Sequence, residues 1–313
     1  MSLDKSYLDK FIKVTEFAAY GASSFIGRGD KNAADQGAVD KMRSELNKID
    51  MIGTVVIGEG EMDEAPMLFV GEKVGTKNGT EIDIALDPLE GTNFTANNLP
   101  GAFSVLVAAE KGNLLSAPDT YMDKIVVGSN LPKNLLDLDN SVEENIEMIA
   151  GEKNKKINEL NVCLLKRPRH SKIISSLEKM SVKINFITDG DIAGALSVIG
   201  ENPMNDVYLG SGGAPEGVVT AAALTCLGGQ IQGRLLIDSA DEARAKKLGI
   251  MDLKKKYNTE DMVSGDVIFC ATGVTDGDLV KGIVIQEKSF VTNTFALHKS
   301  QNINIKITNT HKK

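Results

Sequence analysis

Between residues 161 and 270 the chain repeats short apolar runs followed by stretches of helical period, and this alternation most narrows the folds open to it. The spacing predicts strand 161–165 then helix 171–179, strand 183–187 then helix 191–199, and strand 206–209 then helix 216–227. Strand 230–237, helix 239–248 and strand 266–270 follow. Such alternation predicts a sheet with parallel strands covered by helices. The first half reads differently. Residues 4–26 place Leu8, Phe11, Ile12, Thr15, Ala18, Ala19 and Ala22 at helical spacing, residues 27–32 break that helix, and residues 33–49 resume it. Strands are expected near 54–58, 82–87, 103–109, 114–117 and 124–128. The polar stretch 129–160, around a short helix at 141–149, is the expected linker, which divides the chain into 1–155 and 156–313. The tail, 282–308, alternates with period two through Ile303, Ile305 and Ile307 and reads as strands.

Composition excludes some function classes. A net charge of −8 argues against nucleic acid or an anionic membrane as the main partner. It still permits an anionic substrate, because a local cation cluster or a metal overturns the global field. Three widely spaced cysteines, Cys163, Cys226 and Cys270, lie in or beside apolar stretches and read as buried small hydrophobes. His298 and His311 lie in the polar C-terminal stretch and His170 adjoins a basic cluster, so a histidine-rich zinc site or a Ser-His-Asp triad has little support. With no signal peptide and no long apolar span, a cytoplasmic enzyme is the expectation.

The most chemically pointed segment is residues 83–92, Asp-Ile-Ala-Leu-Asp-Pro-Leu-Glu-Gly-Thr. An apolar strand is expected to stop at Pro88, which has no ladder donor. Asp87 and Glu90 then sit at the strand mouth, and Gly91 lets the backbone turn. Hard carboxylate oxygens suit Mg2+ or Mn2+. The Thr92 hydroxyl and nearby backbone N–H groups suit a phosphate. An acidic solvated turn is the bland reading. A second apolar run, Val55 to Ile57, delivers Glu59, Glu61, Asp63 and Glu64. Two such strands fit as neighbours sharing one mouth, where open α/β sheets place ligands.

Other candidates carry both a functional and a structural reading. Asp30 or Asn32 caps the second helix, Asp35 falls in its first turn or ligates a metal, and Lys31 counters a phosphate. Lys166-Arg167-Pro168-Arg169-His170 is a solvated basic loop or a phosphate pocket at a strand end. Asp189-Gly190-Asp191 is a turn with an N-cap or a pair of acceptors for sugar hydroxyls. In residues 210–217, glycines including Gly213 permit close approach of backbone to a ligand, and Glu216 caps a helix or binds a metal. That run fits neither a P-loop nor G-x-G-x-x-G.

Together these residues resemble a known family. Asp-Pro-Leu-Glu-Gly-Thr (87–92) after Gly-Glu-Gly-Glu (58–61) is similar to the signature of the lithium-sensitive, metal-dependent sugar and inositol phosphatases. Longer runs resemble the bacterial class II fructose-1,6-bisphosphatase family, GlpX type: Gly-Arg-Gly-Asp-Lys-Asn-x-Ala-Asp (27–35), Ile-Gly-Glu-Gly-Glu-Met-Asp-Glu-Ala-Pro-Met-Leu (57–68), Pro-Arg-His (168–170), Asp-Gly-Asp (189–191) and Gly-Gly-Ala-Pro-Glu-Gly-Val-Val (212–219). The resemblance runs from about residue 10 to about residue 280. One departure is Arg167, where the family often has Lys.

The resemblance implies a layered α/β/α/β/α sugar-phosphatase fold, with two sheets flanked by helices. It implies a metal-bearing catalytic domain in 1–155 and an α/β substrate domain in 156–313. It implies Mn2+ or Mg2+ as cofactor and hydrolysis of the 1-phosphate of fructose 1,6-bisphosphate in gluconeogenesis. A homo-oligomer, dimer or tetramer, is expected on the same ground. By motif match Asp35 and Glu59 hold one metal, and Asp87, Glu90 and Glu216 a second. Gly91 and Thr92 touch the reacting phosphate. Substrate contacts fall on Tyr121, Arg167, Pro168, Arg169, Asp189, Gly190, Asp191 and Gly213, with Lys31 and Glu90 beside them. Thr92 orients the attacking water, with Asp63 or Glu61 as its acidic partner. The rival readings are sedoheptulose 1,7-bisphosphate, an inositol or a nucleotide phosphate on the same site, and a catalytically silent sugar-phosphate-binding regulator.

Overall fold

The computed structural model describes residues 3–58, 60, 68–129, 131–239 and 241–313. In chain order its elements begin α1 (Ser6–Ser23), α2 (Lys31–Leu46), β1 (Ile52–Ile57), β2 (Lys73–Val74), β3 (Glu81–Glu90), α3 (Thr92–Ala96), β4 (Phe103–Glu110) and β5 (Tyr121–Val127). The middle holds α4 (Val142–Glu152), β6 (Asn161–Leu165), α5 (Ser171–Lys179), β7 (Lys183–Ile187), α6 (Asp191–Leu196), β8 (Val207–Gly213), α7 (Ala214–Leu227) and β9 (Gln230–Leu236). The chain closes with α8 (Glu242–Lys247), β10 (Lys256–Asn258), α9 (Thr259–Met262), β11 (Val267–Gly273), β12 (Val284–Ile285), β13 (Ser289–His298) and β14 (Ile303–Lys312).

The protein is α/β with two sheets, each in its own unit. One unit comprises residues 1–116 and 263–313, the other residues 117–262. This differs from a division at 155/156. Strands β11, β12, β13 and β14 return to the first sheet, whose order is β12-β13-β11-β4-β3-β1-β2 with β14 on β13. The strand expected at 266–270 therefore closes no parallel repeat; β11 lies antiparallel to both β4 and β13. The return strand expected at 114–117 is absent, and Leu114 makes only an isolated bridge to Val263.

In the first unit, α1 buries Leu8, Phe11, Ile12, Thr15, Ala18, Ala19 and Ala22, the stripe its spacing predicts. It packs on α2 at two glycines. A Cβ on Gly21 would run into the Gly37 carbonyl, and one on Gly37 would lie 2.7 Å from the Gly21 oxygen. Helix α2 starts at Lys31, two residues earlier than its apolar period suggests, because Asp30 caps it by accepting from the Ala33 N–H at 2.9 Å. Of the two C-terminal histidines one is interior and the other half-buried. His298 is buried against Asp266 at 3.1 Å, and the His311 Nε2 lies 2.9 Å from the buried Glu16 carboxylate of α1.

The second sheet runs β10-β9-β5-β8-β6-β7. Strands β6, β7 and β8 are parallel, as the alternation predicts. The sheet is nonetheless mixed, because β5 inserts between β8 and β9, antiparallel to both. The polar stretch expected as a linker belongs to this unit, and the short helix expected within it forms as α4. Ser141 and Glu144 close a capping box at the start of α4, which buries Ile146 and Ile149.

Candidate active site

In the first unit β1 and β3 are parallel neighbours, paired from Ile52↔Glu81 to Ile57↔Ala85, so their carboxyl ends share one edge. Strand β3 does not stop at Pro88. Asp87 pairs with Val105 and Glu90 with Phe103, so three steps of β3 oppose two of β4. Pro88 lies inside this bulge, where a residue without an N–H costs no ladder bond. The bulge re-aims the two carboxylates. Asp87 is half-buried and its Oδ1 accepts from the Leu89 N–H at 2.9 Å, while Glu90 is buried. Gly91 follows at φ +82, a left-handed conformation suited to glycine, and half-buried Thr92 opens α3.

Helix α2 packs on β3 and α3, bringing Asp35 to the same region of the unit. Asp35 lies beyond the first turn of α2, half-buried, so it does not serve that helix's terminus. Lys31 is exposed at the first position of α2. The loop before it is tied to α3: the Gly27 N–H donates to the Thr95 carbonyl at 2.9 Å, and Gly29 to that of Ala96 at 2.8 Å. Glu59, Glu61, Asp63 and Glu64 lie outside the described residues. Among the described residues, no group of three or more His, Cys, Asp or Glu side chains is gathered to hold a metal ion. Asp35, Asp87 and Glu90 offer oxygen donors only, a set chemically suited to a hard divalent cation.

In the second unit the carboxyl ends of β6, β7 and β8 and the start of β5 form one edge, with Tyr121 paired to Gly213. The exposed Tyr121 lies under Arg169, whose guanidinium carbon is 4.5 Å from the ring centroid. Arg169 Nη2 donates to the Ser211 carbonyl at 2.7 Å and its Nε to the Ser211 hydroxyl at 3.0 Å. Arg167 is half-buried, and Pro168 opens a single exposed turn. His170 is buried beneath them. Its Nδ1 lies 2.7 Å from the Leu165 carbonyl, and its Nε2 accepts from the Ser211 N–H at 2.9 Å. That pattern fits a neutral ring with the proton on Nδ1. It makes His170 a support for the loop carrying both arginines.

Asp189 is half-buried and its Oδ1 accepts from the Gly190 N–H at 3.1 Å. Gly190, at φ +82, is itself the N-cap of α6. Asp191 is buried, and its two oxygens accept from the Lys124 ammonium and the Tyr208 hydroxyl. Burial and the Asp191 charge push the Tyr208 phenol well above its usual range. The glycines of residues 210–217 make room for the chain's own carboxylates. A Cβ on Gly212 would run into Asp191 Oδ2, and one on Gly213 into Glu216 Oε2. Glu216 is half-buried in the first turn of α7. Lys124, Tyr208 and Ser211 escape sequence reasoning. The one signal is Lys124 itself, which alternates with Met122 and Val126 on one face of a central strand.

These observations define an α/β protein with carboxylates at the mouth of one sheet and cations with a carboxylate turn at the edge of another. A family model described as bacterial fructose-1,6-bisphosphatase, glpX-encoded, matches residues 5–311, further at both ends than the quoted motifs reach. The fructose-1,6-bisphosphatase 1 class 2 of Escherichia coli (strain K12) is 42% identical over 310 residues, covering 94% of this chain and 92% of that protein. The fructose-1,6-bisphosphatase class 2 of Haemophilus influenzae is 44% identical over 295 residues, covering 90% and 88%. Among solved structures, the extragenic suppressor protein suhB from Bartonella henselae overlaps 63% of this chain and 74% of that chain at 10% identity and a TM-score of 0.34, too slight to carry an argument. The chain belongs to the glpX-encoded bacterial fructose-1,6-bisphosphatase family.

Proposed function

We propose that the chain removes the 1-phosphate of fructose 1,6-bisphosphate, giving fructose 6-phosphate and inorganic phosphate, with Mn2+ or Mg2+ as cofactor. The observation that carries this reading is the bulge of β3, which turns Asp87 and Glu90 out of register beside Gly91 and Thr92. The substrate comes from the relatives, which bear that enzyme's name. In cells the reaction serves gluconeogenesis in the cytoplasm, the enzyme works as a homo-oligomer, and lithium inhibits it.

Asp35 and Glu59 would hold one divalent ion and Asp87 and Glu90 a second, an all-oxygen set. When bound, a divalent ion neutralises phosphate charge and acidifies water at neutral pH. The remaining work falls to the chain's own groups. Thr92 presents its hydroxyl to the attacking water, Asp63 or Glu61 takes that water's proton, and the P–O bond to C1 breaks as the departing oxygen takes a proton from solvent. The backbone N–H groups around Gly91 receive phosphate oxygens. Arg169, fixed by Ser211 and Tyr121, presents a planar donor fork suited to phosphate oxygens, with Arg167 on the same loop. Asp189 accepts from a sugar hydroxyl.

The test is phosphate release by the wild type, Asp87→Asn and Glu90→Gln across a panel of fructose 1,6-bisphosphate, sedoheptulose 1,7-bisphosphate, inositol phosphates and nucleotides. The wild type should prefer the first. Both variants should lose about a thousandfold or more in kcat while keeping the wild-type melting profile. Full activity in either variant, or no release from any substrate, contradicts the reading.

A further inference from the structure

Lys124 sits in the middle of β5 and is 1% exposed. A buried ammonium is tolerated only when its charge and donors are answered. Here its Nζ donates to Asp191 Oδ2 and to the Gly213 carbonyl, the latter at 2.7 Å. Tyr208, fully buried in β8, donates to the other oxygen of Asp191. Gly212 is small because Asp191 occupies the space a Cβ would need. One network thus joins β5, β8, the 189–191 turn and the residue that caps α7.

Its two outer ends are the informative part. One is the turn carrying Asp189 and Gly190; the other is the start of α7, whose first turn carries Glu216. Apolar groups of matching shape commonly serve core stability as well as a buried ion pair does, so stability alone does not account for this one. A pair that fixes one geometry between two loops does account for it.

We propose that Lys124 and Tyr208 are positioning residues for the sugar phosphate: acting through Asp191 and the Gly213 carbonyl, they hold the 189–191 turn and the head of α7 in binding register. This rests on the functional reading above, and it makes Asp191 an anchor of the turn. Neither positioning side chain touches the ligand, since both are buried.

The experiment compares the wild type, Tyr208→Phe, Lys124→Met and the double variant Lys124→Met/Asp191→Asn. Three quantities are read: melting temperature, kcat and KM for fructose 1,6-bisphosphate, and calorimetric Kd for fructose 6-phosphate, which needs no turnover. Tyr208→Phe should stay folded and raise KM and Kd about tenfold, as expected for one hydrogen bond to a charged group, with kcat within about twofold. Lys124→Met should melt much lower because it strands the Asp191 charge. The double variant should recover most of the melting temperature and little of the affinity. Wild-type KM and Kd in folded Tyr208→Phe and in the double variant would overturn the proposal. If the wild type binds fructose 6-phosphate but releases no phosphate, the hydrolase reading fails while the Kd ratios still decide the positioning role. If the wild type binds none, both fall.

Discussion

Asp87 and Glu90 show how far a single residue's chemistry can be read without coordinates. Their carboxylates, the proline between them and the glycine after them are visible in the string. The expected strand end was not the solution the fold adopts, because a bulge lets β3 carry Pro88 and continue to Glu90. The Asp191–Lys124–Tyr208 contacts were illegible for a different reason: they join residues up to 67 positions apart, and no local spacing encodes them. The cysteines were read correctly where burial is complete. Cys163 and Cys270 are 0% exposed, whereas Cys226 is only half-buried near the end of α7. Burial pushes the Cys163 thiol up to about 11, so the reactive thiolate is scarce at neutral pH. Iodoacetamide on the native protein at pH 7.5 should therefore modify Cys226 alone, and all three thiols should react after denaturation. Modification of Cys163 at the rate of Cys226 would contradict its burial.

At the scale of elements, periodicity located the long helices and could not say how they cross. The α1–α2 crossing depends on Gly21 and Gly37, where backbone meets backbone. Gly21→Ala gains about 1 kcal/mol of helix propensity but adds a Cβ against a carbonyl, an overpacking cost of about 1–3 kcal/mol or more. The clash should win and the melting temperature should fall. Gly151→Ala in α4 meets nothing within 4 Å, so propensity should win there and stability should rise by about 0.5–1 kcal/mol. A gain at both positions would refute the crossing.

Asp266, just before β11, gives the elements a pH dependence. It accepts from the Leu3, Val267 and Ser300 N–H groups, the Ser300 hydroxyl and His298. Burial alone would raise its pKa, but the hydrogen bonds from Ser300, His298 and Leu3 outweigh it and hold the carboxyl below its usual range. A folded pKa below the unfolded one stabilises above the unfolded value near 4 and is lost as pH falls through the folded value. Asp266→Asn should cost about 2–4 kcal/mol at pH 7 and flatten the loss of stability below pH 4. An unchanged acid limb in urea melts would remove Asp266 from that role.

At the scale of the whole molecule, the strand–helix alternation announced the second sheet, but the chain's return to the first was hidden. Strand β11 is a mainly apolar run, buried along its whole length, and reads the same whichever sheet it joins. Its partners β4 and β13 are fixed by tertiary pairing that no local period reports, whereas β13 and β14 form a local hairpin. The stretch 129–160 carries its expected helix as α4, but Ile146 and Ile149 pack into the core of the second unit, a tertiary contact that polar composition does not report. The fragment 117–262 retains all six strands of its sheet and should fold alone with a cooperative melt. The fragment 1–155 lacks four strands of the first sheet and breaks the second, so it should not. Cooperative folding of 1–155 would contradict the division.

Hydrolysis breaks one P–O bond of the sugar bisphosphate, that of the 1-phosphate. Phosphorus NMR of the purified protein with fructose 1,6-bisphosphate and Mn2+ follows both phosphates as they react. The resonance of the 1-phosphate should disappear with matching growth of inorganic phosphate, leaving fructose 6-phosphate, and the reaction should stop when the metal is chelated. Loss of the 6-phosphate, or turnover at full rate after chelation, would contradict the account.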